Sequence, residues 1–387
     1  MKVAILTTEN RENFKEYHKT QPYFGTAPEA LLQGMARLPE LEVHVVSCIQ
    51  QSMSSPEKIA PTIWFHGLVV PKLGWLRTGY QGCIRAVRKK LRAIQPDIVH
   101  GQGTERDCAI SAVLSGFPNV LTVHGNMRLI SRVNRARPFS FEWLAARLET
   151  FILPRTRGVV CITHYTQEAV SDLVKKTWVV PNAVDATFFD IRPAPALPRT
   201  ILCVGNVMPR KNQNAFIRAL DQMAASISFQ LLFLGGAPET DPYAREFFSL
   251  LKTRPWCAYG GFADRAKLKQ HLAQATLLAL PSLEDNCPMV VLEAMAASVP
   301  VLAAKVGGLP DLIEDEVNGL FCDPLNAASL SGGVQRLLEN PSLAEKLARR
   351  AREMAVGRYH PEVIARKHLE IYREVLNPNS ETGIGTS

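Results

Sequence analysis

The stretch Pro281-Ser282-Leu283-Glu284-Asp285-Asn286-Cys287-Pro288-Met289-Val290-Val291-Leu292-Glu293-Ala294-Met295-Ala296-Ala297 decides how the rest of the chain is read. It follows the apolar run Leu277–Leu280, which reads as a buried parallel strand. Pro288 sits where a first helical turn tolerates proline, so the segment reads strand, polar loop, helix. On that helix Asn286, Met289 or Val290, and Glu293 are expected three or four residues apart on one face. Asp285 and Glu293 enclose seven residues. Open backbone N–H groups at a helix start suit a phosphate, and the carboxylates accept hydrogen bonds from sugar hydroxyls. Phosphate and sugar together describe a nucleotide sugar.

The totals set the frame. At 387 residues the chain exceeds what one core spans, so two domains are expected. A hydrophobic content of 47% with 21% charge is that of an ordinary globular protein, far from disordered composition. No stretch approaches the roughly twenty apolar residues that cross a bilayer. Met1 to Leu6 is short for a signal peptide and reads as a first strand, so a cytoplasmic protein is expected. The eight cysteines contain no C-x-x-C pair, and several lie in aliphatic runs, which suits reduced, buried thiols. Cys287 is read as lining the motif loop, since no neighbouring base is evident. Charge is uneven: residues 1–180 hold 23 Lys+Arg against 14 Asp+Glu, or +9, and residues 181–387 hold 21 against 22, or −1. The basic half is expected to meet something anionic.

Short aliphatic runs alternate with amphipathic stretches through both halves. Strands are predicted at Val3–Thr7, Val43–Cys48, Asp97–His100, Val120–His124, Gly158–Ile162 and Trp178–Val180, and again at Ile201–Gly205, Phe229–Gly235, Leu277–Leu280 and Val301–Ala303. Pro193, Pro195 and Pro198 between the halves read as a linker and hinge. The end of the chain is predicted helical at 327–338, 343–356 and 361–375, with a disordered tail at 378–387.

The order Pro281-Ser282, an acid, Asn286-Cys287-Pro288, an aliphatic run, Glu293-Ala294-Met295-Ala296, then Gly307-Gly308-Leu309-Pro310 and Asn318-Gly319-Leu320 resembles the donor half of retaining family 4 glycosyltransferases of the GT-B fold. The resemblance implies an α/β protein of two Rossmann-like doubly wound domains facing each other across a cleft. Residues 1–192 would bind the acceptor and 199–360 the nucleotide-sugar donor, with 361–377 crossing back as a helix. It implies a family E-x7-E motif in which Asp285 takes the first acid's slot and Glu293 the second, with Glu284 one position off as the rival to Asp285. Lys211, in Gly205-Asn206-Val207-Met208-Pro209-Arg210-Lys211, matches the family's diphosphate lysine. Asn206 stands where the family places an arginine, and Arg210 is expected to supply the missing charge. His124 occupies the slot of a histidine facing the transferred sugar. Gly25 and Thr26 match a small-residue loop that approaches the diphosphate, and backbone near Phe262 is where such folds recognise the base. The expected donor contacts therefore run through Asn286, Cys287, Pro288 and the N–H groups of Met289 and Val290, with Lys211, Asp285 and His124 at the chemistry.

The expected activity is transfer of a hexosyl group from a nucleoside diphosphate sugar to a hydroxyl acceptor with retention, as in polysaccharide biosynthesis. A nucleotide-sugar epimerase of the same architecture and a non-catalytic nucleotide-sugar binding protein are the alternatives. No metal or further cofactor is required by this reading. Gly101-Gln102-Gly103 follows a strand, but Arg106 takes the third glycine's slot, so the dinucleotide fingerprint fails. His100 and Pro181–Asp185 read as structural. Two basic clusters remain. In Arg85, Arg88, Lys89, Lys90 and Arg92 the apolar residues recur at helical spacing, which reads as a core-facing helix with a solvated face. Arg128, Arg132, Arg135 and Arg137 lie in a loop-like region after His124, where an anionic or lipid-linked acceptor, or the inner face of a membrane, would be met. Nucleic acid is disfavoured because aromatics do not interleave with the charge.

Overall fold

The computed structural model describes residues 1–71, 73 and 75–377, and the tail expected at 378–387 lies outside them. The chain divides into two compact units, Met1–Ala183 with the segment from Pro361 onward, and Val184–His360.

In unit 1 the described residues form eight strands: β1 Lys2–Leu6, β2 Glu42–Ile49, β3 Lys58–Ala60, β4 Ile63–Val69, β5 Ile98–Gln102, β6 Asn119–Val123, β7 Val159–Cys161 and β8 Thr177–Val179. They lie in the order β3-β4-β2-β1-β5-β6-β7-β8, all parallel except the β3–β4 edge. The helices are α1 Thr26–Met35, α2 Gln81–Ile94, α3 Asp107–Val113, α4 Met127–Val133, α5 Phe141–Ile152 and α6 His164–Val170. Strand period explains why both faces are covered. Val3 and Ile5 of β1 pack with Met35 and Leu369, while Ala4 and Leu6 join Val87 and Leu91 on the other face. The α2 reading holds: Ile84, Val87 and Leu91 are buried, and Arg85, Arg88, Lys89 and Arg92 are exposed.

Unit 2 is a six-stranded, all-parallel sheet of β9 Arg199–Val204, β10 Phe229–Leu234, β11 Cys257–Tyr259, β12 Leu277–Leu280, β13 Val301–Ala304 and β14 Leu320–Cys322. Its helices are α7 Gln213–Ala219, α8 Pro242–Lys252, α9 Arg265–Gln274, α10 Met289–Ala296, α11 Ala327–Glu339 and α12 Pro341–Arg358. The order is β11-β10-β9-β12-β13-β14, so the chain leaves β9 toward one edge and returns beside it at β12. The loops following β9 and β12 diverge at this reversal, which in open parallel sheets is where a crevice forms.

Three readings change. The proline-rich stretch 193–198 lies inside unit 2, where the Ala194 and Ala196 N–H groups donate to the carbonyls of Ala273 and Gln274 at the end of α9 (2.7 and 3.1 Å). The Arg128–Arg137 region is not a loop throughout, because α4 forms there on an Asn126 cap whose Oδ1 accepts from Leu129 N at 2.7 Å. Strands β3, β4, β11 and β14 had no predicted counterpart; three of them are three residues long, too short for an alternation to show.

The last helix, α13 Pro361–Leu376, belongs to unit 1 and packs on α1. A Cβ at Gly34 would stand 2.0 Å from the Pro361 carbonyl oxygen, so this contact requires a glycine. Gly34→Ala is therefore expected to lower stability in urea unfolding by about 1–3 kcal/mol. Gly332→Ala, in α11 where the added methyl meets nothing within 4 Å, should raise it by about 0.5–1 kcal/mol.

Candidate active site

The loops after β9 and β12 are joined by side chains. After β9 the chain turns through Gly205 into a short 3-10 turn, Pro209–Lys211, which ends at Asn212 in the left-handed region (φ 60) with Asn212 Nδ2 donating to Pro324 O at 2.8 Å. That turn places Lys211 Nζ on Asp285 Oδ2, an ion pair with both side chains largely buried. Ser282 Oγ donates to the same oxygen at 3.2 Å. Arg210 reaches the same loop: Nη1 donates to Glu284 O at 2.8 Å and lies 3.3 Å from Glu284 Oε2 and 3.6 Å from Asp285 Oδ1. The structure thus brings Arg210, Lys211 and Asp285 together. Glu284 is half exposed and turned to Arg210, while Asp285 is buried beside Lys211.

The backbone of Asp285 is fixed from the next loop. Gly308 N donates to Asp285 O at 3.0 Å, and Gly307 has φ 54, with a hypothetical Cβ only 1.9 Å from that oxygen. A side chain at Gly307 would displace the acid, which gives the Gly307-Gly308 pair a physical reason beyond its place in a motif. Ser282 and this glycine contact were not foreseen. Ser282 could have been read from its three-residue offset to Asp285, whereas the Gly307 contact joins two distant loops and leaves no local signal.

Helix α10 begins after Pro288, which is the N-cap (φ −67, ψ 115) and carries no side-chain cap. The first N–H groups, at Met289 and Val290, have no intrahelical acceptor. Asn286 and Cys287 precede the helix, so the shared helical face expected for Asn286, Met289 or Val290, and Glu293 does not include Asn286. Cys287 is buried in the loop, and no disulfide joins any of the eight cysteines, all of which are described.

Glu293 lies in the second turn of α10 and is 3% exposed. Burial pushes its carboxyl up to about 7; Arg265 opposes the shift and Asp185 adds to it. Asp185 is itself held, with Oδ2 2.7 Å from Arg265 Nη1 and Oδ1 accepting from Thr187 N at 2.8 Å, which agrees with its structural reading. Asn206 is exposed, and its Oδ1 accepts from Gly236 N at 3.0 Å, tying the loops after β9 and β10. Phe262 is exposed beside Gly261, whose carbonyl accepts from Gly235 N at 2.9 Å.

In unit 1, Gly25 (φ 89) caps α1 without a side-chain bond, leaving the N–H of Thr26 at the helix start. His124 follows β6, and its Nε2 lies 2.9 Å from Gln102 Oε1. With Gln102, Thr122, Asn182 and His368 it surrounds a space of about 10 Å³, room for one water. Burial, then the proximity of His368, push the His124 imidazole down to about 4, against the Asn182 hydrogen bond, so it is neutral at neutral pH. His100 is fully buried, with Nδ1 2.6 Å from Tyr372 Oη and Nε2 2.7 Å from Thr122 Oγ1, as its structural reading requires.

Comparison with solved proteins fixes the class of this fold. The sucrose-phosphate synthase of Thermosynechococcus elongatus superposes with TM-score 0.77 at 20% identity, covering 98% of this chain and 100% of that one. Anabaena HepE in complex with UDP-glucose gives 0.70 at 19% identity over 97% and 100%. Both are likenesses of fold, and the fold is GT-B. The sequence matches the family model for glycosyl transferases group 1 over residues 184–354 and that for glycosyltransferase family 4 over residues 29–188. The chain belongs to the family 4-type glycosyltransferases. An uncharacterized glycosyltransferase of Methanocaldococcus jannaschii is 30% identical over 175 residues, 45% of this chain and 45% of that protein's length. The alpha-maltose-1-phosphate synthase of Mycolicibacterium smegmatis is 27% identical over 304 residues, 69% of this chain and 75% of that one.

Two stability measurements check the geometry. Lys211→Met removes the cation in contact with a buried carboxylate, leaving only the more distant Arg210, and should cost about 3 kcal/mol in urea unfolding, most of it recovered in Lys211→Met with Asp285→Leu. A Glu293 carboxyl raised from 4.5 to about 7 binds more protons folded than unfolded, so its contribution to stability falls as pH rises through that window. Glu293→Gln should therefore be more stable than the parent at pH 8, by as much as about 3 kcal/mol, and nearly equal to it at pH 4.

Proposed function

We propose that the protein transfers a hexosyl group from a nucleoside diphosphate sugar to a hydroxyl acceptor with retention of anomeric configuration. The observation that carries this reading is the convergence of Lys211, Arg210 and Asp285 at the reversal of the unit 2 sheet, one loop away from the uncapped start of α10 and Glu293.

The chemistry follows from the charges. Breaking the bond between the anomeric carbon and the diphosphate builds negative charge on the leaving phosphate. Lys211, Arg210 and the N–H groups of Met289 and Val290 are donors that can meet that charge without reorganising, which is a large term in such reactions. Donor binding exchanges the Lys211–Asp285 contact for Lys211 on phosphate and Asp285 on sugar hydroxyls, so the acid that holds the lysine in place then orients the sugar. Glu293 accepts from the ribose diol. Asn286, Cys287 and Pro288 shape the loop between these groups, and Gly261-Phe262 supplies the base contact. In unit 1, Gly25 and Thr26 are assigned to the diphosphate and His124, as a neutral imidazole, to a sugar hydroxyl.

HepE has been solved with UDP-glucose, and the catalytic domain of Arabidopsis starch synthase IV with ADP and acarbose. A panel of UDP-, ADP- and GDP-sugars is therefore the first assay. The acceptor is a glycan, glycolipid or small molecule bearing a free hydroxyl. Among the described residues no helix is long and apolar enough to cross a membrane.

Transfer is expected to persist in EDTA, because protein cations and helix N–H groups meet the diphosphate charge; an absolute requirement for added divalent metal would refute this. Lys211→Ala should lower the transfer rate by about 100-fold or more. Arg210→Ala should weaken donor binding as well, and unchanged affinity there, alongside its loss in Lys211→Ala, would show that Arg210 does not replace the arginine missing at Asn206. Turnover of donor with no acceptor present would favour an epimerase, and inversion in the NMR spectrum of the product would overturn retention.

A further inference from the structure

We propose that the α4–α5 hairpin of unit 1 docks on an anionic phospholipid bilayer. This deepens the membrane-side reading of the acceptor, but the surface itself is defined by its own side chains. Residues 126–157 contain seven arginines and two acids. Of the two acids, Glu149 does not reach the outer face, being fully buried and accepting from Thr104 Oγ1 and Arg128 N at 2.8 Å each, so Glu142, which accepts from Asn134 Nδ2 at 3.0 Å, is the single acid of this segment left at the surface among seven arginines. Arg128 is paired with Asp172. Arg132, Arg135 and Arg137 are exposed and have no ion-pair partner among the described residues.

Among and beside those arginines stand large apolar side chains that the fold leaves in solvent. Val133 is 67% exposed, Phe139 77% and Phe141 52%, with Ile130 and Phe151 also open. The hairpin that displays them is held rigidly. The Asn126 cap and Glu149 tie the start of α4, Ser140 Oγ accepts from Trp143 N at the start of α5, and α4 packs along α5. The Phe139 ring rests 5.3 Å from Trp143, and the Arg147 guanidinium lies 4.8 Å from the same indole.

The occupant follows from the mixture. A soluble anionic glycan gains nothing from Val133 or Ile130, and aliphatic side chains do not stack on nucleobases. Lipid hydrocarbon accepts them, aromatic rings settle at the headgroup boundary, and guanidinium groups meet anionic headgroups from the same surface. Helix α2 supplies an internal contrast. Its Arg85, Arg88, Lys89 and Arg92 are equally exposed, but its apolar residues Ile84, Val87 and Leu91 face the core, so it offers charge without insertion.

The test is flotation of the full chain with vesicles of phosphatidylcholine alone or mixed with phosphatidylglycerol. Binding to the mixed vesicles only, weakened by salt, is expected. Arg132→Gln, Arg135→Gln and Arg137→Gln combined should lower the partition coefficient on the order of 100-fold. Val133→Ser, Phe139→Ser and Phe141→Ser combined should lower it about 10-fold or more. The charge-matched triple on α2, Arg85→Gln, Arg88→Gln and Arg92→Gln, should change it only about two- to threefold. No binding to anionic vesicles, an equal loss in the α2 triple, or full binding in the apolar triple would overturn the proposal. Preferential binding of single-stranded RNA, lost with the same hairpin variants, would overturn it in favour of nucleic acid. Donor nucleotide affinity, measured on each variant, should stay at the parent value. Absence of donor binding in the parent chain, with vesicle binding intact, would count against the transferase reading and leave this one standing.

Discussion

The Lys211–Asp285 pair is the interaction on which the architecture of unit 2's site depends. It joins two loops that leave neighbouring strands, β9 and β12, in opposite topological directions. Neither side chain is free in solvent; Lys211 and Asp285 compensate each other, and Arg210 at 3.6 Å and the Ser282 hydroxyl add to the balance at the acid. The Asp285 backbone is meanwhile pressed against Gly307, and its carbonyl is bound by Gly308. Three loops, after β9, β12 and β13, are thereby placed by contacts made at one acid. A site held in this way has its charges assembled before any ligand arrives, which is the arrangement in which fixed donors contribute most to a reaction that builds charge.

Much of this was legible in the chain itself. The strand-loop-helix reading of 277–297 needed only a short apolar run, a polar turn and a proline, and the structure gives β12, a loop and α10 in that order. The alternation of apolar runs with amphipathic helices was sufficient for two parallel sheets, because strands covered on both faces must be apolar on both. What escaped has a physical explanation. Strands β3, β11 and β14 are too short to display a period. Periodicity puts Asn286 on the helix because it does not say where a helix begins, and here the cap is Pro288, two residues later. The crossing between units falls at Ala183 and Val184 and not in the proline cluster, because the exposed N–H groups of that cluster find acceptors at the end of α9. Proline content signals stiffness, and a stiff segment can be strapped to a domain as readily as it can link two.

The two acids of the motif, eight positions apart in sequence, occupy opposite electrostatic settings. Asp285 has a cation in contact and a hydroxyl donating to it. Among the described residues Glu293 has neither in contact; Arg265, which favours its ionised form, is engaged with Asp185, and burial dominates. A carboxyl held near 7 is partly protonated at neutral pH, so a ligand that donates hydrogen bonds to it stabilises the ionised form and draws the proton off. A vicinal diol is such a ligand, since both hydroxyls can donate to one carboxylate. Under the proposed function, hydroxyl donors at Glu293 would offset the burial that raises its proton affinity. For such a ligand the linkage has one direction: binding tightens as pH rises toward 7 and levels off above it, with up to one proton released per ligand where the free carboxyl is protonated and the bound one ionised. The pH at which donor affinity changes thus tests the proposed contact between Glu293 and a ribose diol.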